Sequence, residues 1–524
     1  MRKYTTDPQS YDLAREGLNP QAVVNLIALL LFAVLIRVPF FDVPMITDEG
    51  GYAYVAQFWT DHYQLYRDIP FDRPQGIFLL YKAIFSSFGS EVTELRLAAA
   101  IYNAGTLLVL FLLANQLFTR RIAWWTVLLF SVASASPSIE GFTANAELFA
   151  SLPLALAALF TWRQQWGWAG FFSGVAFLIK PIGLSGVGLA LAWLVVVLMA
   201  DGNWRGIWRG SLRAGGAFAL SLLAMMAHGY FIGWNYFWTS IVERKFATDT
   251  VVSRGIVDQL LQLVESLVIT APAWAMLVAC ASIAYTTWSV PVRRFFWLWI
   301  ASSVLGMAIG GHWSRHYYVQ LIPALALMGG TGIDLLLRGS THRRTSRLLI
   351  SAGVIFAFFD LPLWFTSPDI VSEVVYDRPG YVLNDEIAEF INSHTGESDT
   401  IYVAFSQAEI YYLAKRRNAV TQLYGYELTA SQDAYEDIVS SIRRRDPALI
   451  VWVQLPPPEL ATEDEFEALL LTGYVEVQQF VEEDPLIGAQ DVIRVYARQA
   501  LESGKGLPLM PAQTGAQWVH YCDV

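Results

Sequence analysis

The residues Thr47-Asp48-Glu49-Gly50-Gly51-Tyr52 set two adjacent carboxylates just after the first long apolar run, Ala22 to Phe40. A carboxylate is costly in hydrocarbon, so one held at a membrane face lines a wet cavity or binds something, and function is the default reading. Other ionisable residues interrupt apolar sequence in the same way. Asp72 and Arg73 follow in the next loop, Glu147 opens a later apolar run, Lys180 precedes Pro181, and Arg315, His316 and Tyr317 lead into another run. Carboxylates in such places can take a proton, and fixed cations can hold an anion.

Each of these residues also has a plainer reading. Thr47-Asp48-Glu49 suits a helix start, Arg73-Pro74 a surface turn, and Glu147 a helix-start acid favoured by the dipole. Lys180 can snorkel to the interface, and His312 to Tyr318 can form an aromatic belt with a charged rim. Glu140 reads as plain loop and His228 as a satisfied core histidine.

The elements that must position these groups are membrane helices. A chain of 524 residues with 55% hydrophobic and only 15% charged residues is not a soluble enzyme, whose charged share lies nearer a quarter. Apolar periodicity predicts eleven spans, at roughly 22–40, 95–117, 122–137, 145–162, 166–181, 182–200, 212–236, 271–289, 295–311, 316–337 and 347–366. Reading Trp166 to Ala200 as one broken helix gives ten. No small-residue cleavage site follows the first run, so it is expected to be retained.

With eleven spans and a cytoplasmic N-terminus, the arginine-bearing loops fall inside, as the positive-inside pattern requires. The acid pair, Lys180, the 312–318 segment and the C-terminal region then share the opposite, extracytoplasmic face. Within the long loop from Phe41 to Glu94, Tyr52 to Trp59 and Gly76 to Phe88 read as short interfacial helices. Gly255 to Ile269 reads as a separate amphipathic segment that could serve as a lid.

Charge divides the chain: residues 1–366 net about +5 and residues 367–500 about −15. The second stretch is expected to be a soluble α/β domain. Its expected helices lie near Asn384–His394 and Asp433–Arg445, and its strands near Thr400–Phe405, Ala448–Val453, Val475–Val481 and Asp491–Ala497. It lacks a phosphate loop, a metal-spaced set and a nucleophile elbow, which points to support or recognition. Residues 501–524 read as a disordered tail. The cysteines Cys280 and Cys522 imply no disulfide framework.

The order of the motifs resembles the polyprenyl-phosphate-dependent glycosyltransferases of the GT-C superfamily, in the protein O-mannosyltransferase and aminoarabinose transferase branch (glycosyltransferase family 39-like). In that branch an Asp-Glu pair opens the first external loop, and an acidic-Lys/Arg-Pro motif follows, here Asp72-Arg73-Pro74. The likeness continues through Asn145-Ala146-Glu147, Leu178-Ile179-Lys180-Pro181, and Arg315-His316-Tyr317-Tyr318 leading into Leu321-Ile322-Pro323. It covers roughly residues 20 to 340.

The resemblance implies an α-helical polytopic membrane enzyme that inverts the anomeric centre. It would move a sugar from a polyprenyl-phosphate donor to an acceptor hydroxyl or amine outside the cytoplasm. By position in the matched pair Asp48 would be the general base, with Glu49 orienting the acceptor or a neighbouring base. Arg73 would stabilise the leaving phosphate, at a position where the family often has Lys. Lys180 and Arg315 are further candidates for that phosphate, and Asp72, Glu147, His316 and Tyr317 for the substrates.

The resemblance implies no cofactor and no essential metal, although His312 and His316 keep the metal question open. Expected partners are the lipid-linked donor, an acceptor that is protein, lipid or glycan, and the bilayer, with no nucleic acid. The expected location is a bacterial or archaeal plasma membrane. The competing classes are a transporter or lipid flippase, which also needs intramembrane charge, and a ligand-binding membrane sensor.

Overall fold

The computed structural model describes residues 19–199, 202–244, 255–308, 313–339, 343–376, 381–404, 407–424, 432–453, 463–483 and 490–499. His312 and the 501–524 tail lie outside them. Two compact units divide between Arg378 and Pro379.

In the first unit, the described helices of eight residues or more are α1 (Pro20–Leu35), α2 (Thr47–Phe58), α3 (Gly76–Ser87), α4 (Val92–Leu117), α5 (Arg120–Ala133), α6 (Ala146–Trp162), α7 (Trp166–Ile179), α8 (Leu184–Met199), α9 (Trp204–Ile232), α10 (Ile256–Ala284), α11 (Val290–Ala308), α12 (Ile322–Leu337), α13 (Arg343–Asp360) and α14 (Pro368–Tyr376). All but α2, α3 and α14 fall on the expected spans. Five segments, Pro20–Phe40, Val92–Leu117, Pro181–Met199, Trp204–Ile232 and Val257–Thr287, are long and apolar enough to cross a membrane by themselves. The half-apolar stretches of the first loop form α2 and α3.

Local chemistry sets the helix ends. Asn19 caps α1 by accepting from Ala22 N at 2.8 Å, with Pro20 in the first turn where no N–H is needed. Lys180 is extended at φ −154°, ψ 145°, the backbone preferred before a proline, so the chain breaks into the two helices α7 and α8. The lid expectation fails. Gly255 to Ile269 continues without interruption into α10, a 29-residue helix that carries Pro272 within it. Its amphipathic face belongs to the beginning of a long helix.

The helices pack around a core that includes Leu107, Phe130, Leu159, Trp193, Phe295 and Trp299. Small residues let backbones approach: a Cβ at Gly170 would sit 1.9 Å from Ala214 O on α9, and one at Gly332 1.8 Å from Cys280 O on α10. Large apolar side chains such as Leu31, Leu223 and Val268 point outward, as lipid-facing positions require.

Two arginines are almost completely buried. Arg37 donates to Ala33 O at 2.7 Å, Ser134 O at 2.7 Å and Gly141 O at 3.1 Å. Arg96, on α4, donates to Phe40 O at 2.9 Å, to Val43 O and to Pro44 O at 3.0 Å, and pairs with Glu49 Oε2 at 2.9 Å. These bonds fix the segment that leads into α2 and the loop that begins at Ser134. Val371 and Val375 of α14 pack against Phe40, Val43 and Phe142, which ties the segment after Ser367 to this unit.

The second unit is α/β. Its strands are β1 (Thr400–Ala404), β2 (Arg417–Asn418), β3 (Leu449–Trp452), β4 (Tyr474–Glu483) and β5 (Gln490–Arg498), in the order β2-β1-β3-β5-β4. β1 runs parallel to β2 and β3, whereas β5 is antiparallel to both β3 and β4. Ile438, Ile442, Ile450, Phe466 and Leu469 form its core. Beyond the elements read from sequence, it contains β2 and the helices Ala408–Leu413 and Glu463–Gly473.

The Arg96–Glu49 pair makes a direct prediction. Arg96→Met strands a buried carboxylate, which costs about 3–5 kcal/mol, and replacing both residues by apolar side chains recovers part of that. Thermal unfolding of the purified protein in detergent measures both effects. An unchanged midpoint in the single variant contradicts the assignment.

Candidate active site

The first turn of α2 is fastened through Glu49. Besides Arg96, this carboxylate accepts from Ala144 N at 2.6 Å and from Ile46 N at 3.3 Å, and its exposure is 0%. Four donors thus meet a fully enclosed acid, and Glu49 anchors the turn. Its neighbour lies ~100° around the helix. Accordingly Asp48 keeps 31% of its side chain exposed.

A second support is the loop from Ser134 to Asn145. Arg37 ties its two ends, and Gly141 is required because a Cβ there would meet Ser134 O at 2.3 Å. Asn145 then caps α6 by accepting from Ala146 N at 2.8 Å. Glu147 follows in the first turn with 0% exposure.

The charged groups converge on one another. His316 lies in the tight turn Arg315–Gln320 ahead of α12, outside the spanning helix. Its Nδ1 is 3.1 Å from Glu140 Oε2, while Nε2 is 3.8 Å from Glu147 Oε1 and 4.0 Å from Asp48 Oδ2. Lys180, left at the end of α7 by the break before Pro181, donates to Glu147 Oε1 and stands 4.6 Å from the centre of the Tyr317 ring. Arg73 pairs with the largely buried Asp72. The buried Tyr52 hydroxyl feels Asp48, Arg73, Lys180 and Glu147 together, and Lys180 also feels Arg73. Tyr52 Oη and Glu147 Oε2 have no hydrogen-bond partner among the described residues.

The fold thus gathers Asp48, Arg73, Glu147, Lys180, His316 and Tyr317 from five separate segments. Asp72 is engaged by Arg73, so it orients that guanidinium. Arg315 Nη1 donates to Val374 O at 3.4 Å and to Val375 O, the closing carbonyls of α14. Sequence reading missed Arg96, Arg37, Tyr52 and Glu140. Both arginines interrupt or border an apolar run, the same signal that singled out Lys180.

Burial alone depresses the His316 imidazole, but the Glu147 and Glu140 carboxylates outweigh it and raise its pKa above the ordinary value. In such a site an accessible carboxylate can accept a proton while the two cations beside it hold an anion.

Comparison with known proteins bears on the fold. The fold is similar to that of ArnT from Cupriavidus metallidurans bound to undecaprenyl phosphate, with a TM-score of 0.59 and 16% identity over 93% of this chain and 100% of that one. For the same protein in the apo state the TM-score is 0.57, with 18% identity over 92% and 99% of the two chains. Over nearly its whole length the chain thus has a fold similar to that of ArnT. More particularly, residues 72–231, which carry Arg73, Glu147 and Lys180, match the dolichyl-phosphate-mannose-protein mannosyltransferase family. No curated protein sequence matches the chain.

A stability test follows from the raised His316 value. Its contribution is fully present below the ordinary pKa of about 6.5 and is lost as pH rises through the higher folded value. The difference in unfolding midpoint between wild type and His316→Gln should therefore be largest near pH 6 and shrink towards pH 9. A difference that stays constant over that range contradicts the charged assignment.

Proposed function

We propose that this enzyme transfers a sugar from a polyprenyl-phosphate donor to an acceptor hydroxyl or amine at the extracytoplasmic face. Asp48 acts as the general base, and Arg73 and Lys180 hold the leaving phosphate. The observation that carries this reading is the single accessible carboxylate of Asp48, sharing the surroundings of Tyr52 with two cations. The undecaprenyl phosphate bound by the similarly folded protein supports a lipid-phosphate donor.

In the reaction the acceptor oxygen attacks the anomeric carbon as its proton passes to Asp48 Oδ. The electron pair of the breaking bond goes to the phosphate, where the added negative charge meets fixed cations. A guanidinium can contact two phosphate oxygens at once, so Arg73 suits this task although the family often has Lys there. Proton abstraction and phosphate stabilisation both come from side chains, so the reading includes no essential metal. It sets the enzyme in a bacterial or archaeal plasma membrane, with the arginine-rich loops inside and the acidic C-terminal unit outside.

Radiolabelled polyprenyl-phosphate sugars, offered one at a time to the purified protein with membrane extract as acceptor, test the assignment. Wild type should consume one of them, with or without chelator. Asp48→Asn should lose at least about 100-fold, the usual range for removing a positioned base. Equal rates in wild type and Asp48→Asn contradict the role of Asp48, and loss on chelation contradicts the metal-free reading.

A further inference from the structure

Glu140 is not plain loop. It holds a left-handed backbone, φ 52° and ψ 33°, which persists in a non-glycine residue only where the surroundings fix it. Here they do. Glu140 N donates to Pro137 O at 2.8 Å, Thr143 donates to Glu140 O through N at 3.0 Å and Oγ1 at 2.9 Å, and Arg37 grips the adjacent Gly141 carbonyl. The outcome is a largely enclosed carboxylate, 12% exposed, set 3.1 Å from Nδ1 of an equally enclosed imidazole.

A histidine whose Nδ1–H is held by a carboxylate has its ring orientation fixed, and the opposite nitrogen is aimed. Nε2 of His316 is aimed at Asp48 and Glu147. We propose that Glu140 and His316 form a positioning pair for Asp48: Glu140 fixes the imidazole through Nδ1, and the Nε2–H so presented keeps the Asp48 carboxylate oriented. The role rests on the reading of Asp48 as the base. The 4.0 Å separation is closed by one bridging water or a small rotation of the half-exposed carboxylate.

The charged groups around the ring are Asp48 from α2, Glu140 from the 134–145 loop, Glu147 from α6 and Lys180 at the end of α7. Three acids against one cation favour the imidazolium. During transfer the imidazolium keeps both protons. The acceptor proton goes to Asp48 and then to solvent.

The pair makes an electrostatic demand that a packing role does not. Removing a positive charge from the site favours proton uptake there, so the acid limb of the kcat/KM profile moves to higher pH. Loss of packing would lower the rate equally at every pH.

The test uses the full chain in nanodiscs, with near-isosteric Glu140→Gln and His316→Gln. The pH profile is recorded with the labelled donor that wild type consumes. In parallel, nitrogen NMR of the imidazoles, with His316→Gln identifying its signal, follows the titration directly. The expected result is an acid limb shifted up by about one pH unit in both variants, with the His316 midpoint lowered by about one unit in Glu140→Gln and lowered also in Asp48→Asn. An unmoved limb with a uniformly reduced rate, or an imidazole midpoint that neither variant moves, overturns the proposal. If wild type consumes no donor, the base assignment fails; an imidazole midpoint that still moves then shows that the pair itself stands.

Discussion

The buried ion pair between Arg96 and Glu49 is the constraint on which the site depends. It joins α4 to the first turn of α2, and the same two side chains also bind the backbone at Phe40, Val43, Pro44 and Ala144. Unpaired, either charge would be intolerable at 0% exposure. Fully hydrogen-bonded, the pair holds three pieces of chain in one geometry. Asp48 takes its direction from Glu49, because adjacent residues on a helix cannot face the same way. An acid pair that looks redundant in sequence thus divides into a buried anchor and an accessible carboxylate.

Beyond that anchor the charges are arranged by contact with opposite charges. Lys180 sits on Glu147, Arg73 on Asp72, and His316 between Glu140, Glu147 and Asp48. A site that must receive an anionic donor and still keep a carboxylate ionised needs this kind of arrangement, since like charges left unbalanced would neutralise by taking up or losing protons. Pairing also limits motion. Each cation is held by a short acid partner, so a phosphate arriving near Tyr52 meets groups already oriented, and little reorganisation is required as charge develops.

Much of the fold was legible because membrane helices obey a simple rule of length and apolarity, and eleven runs became eleven helices. Lys180 and the position of the Asp48-Glu49 pair were legible for the same reason, as charges where charges are costly. What sequence could not assign was which charges face one another. Glu140 resembles any polar loop residue until the left-handed turn carries it to His316, 176 residues away. Nor does sequence show that Arg315 reaches the carbonyl end of α14. The Gly255 to Ile269 stretch showed an amphipathic pattern that describes a lid and the exposed beginning of a longer helix equally well.

The central claim is that Asp48, Arg73 and Lys180 act on one lipid-phosphate donor. Cryo-electron microscopy of the full chain in lipid nanodiscs loaded with a polyprenyl phosphate tests it most directly. The account predicts phosphate density within hydrogen-bond reach of Arg73 and Lys180 and beside the Tyr52 hydroxyl, with Asp48 facing the open side. Phosphate seated elsewhere on the protein, with Arg73 still closed on Asp72 and Lys180 on Glu147, would contradict it.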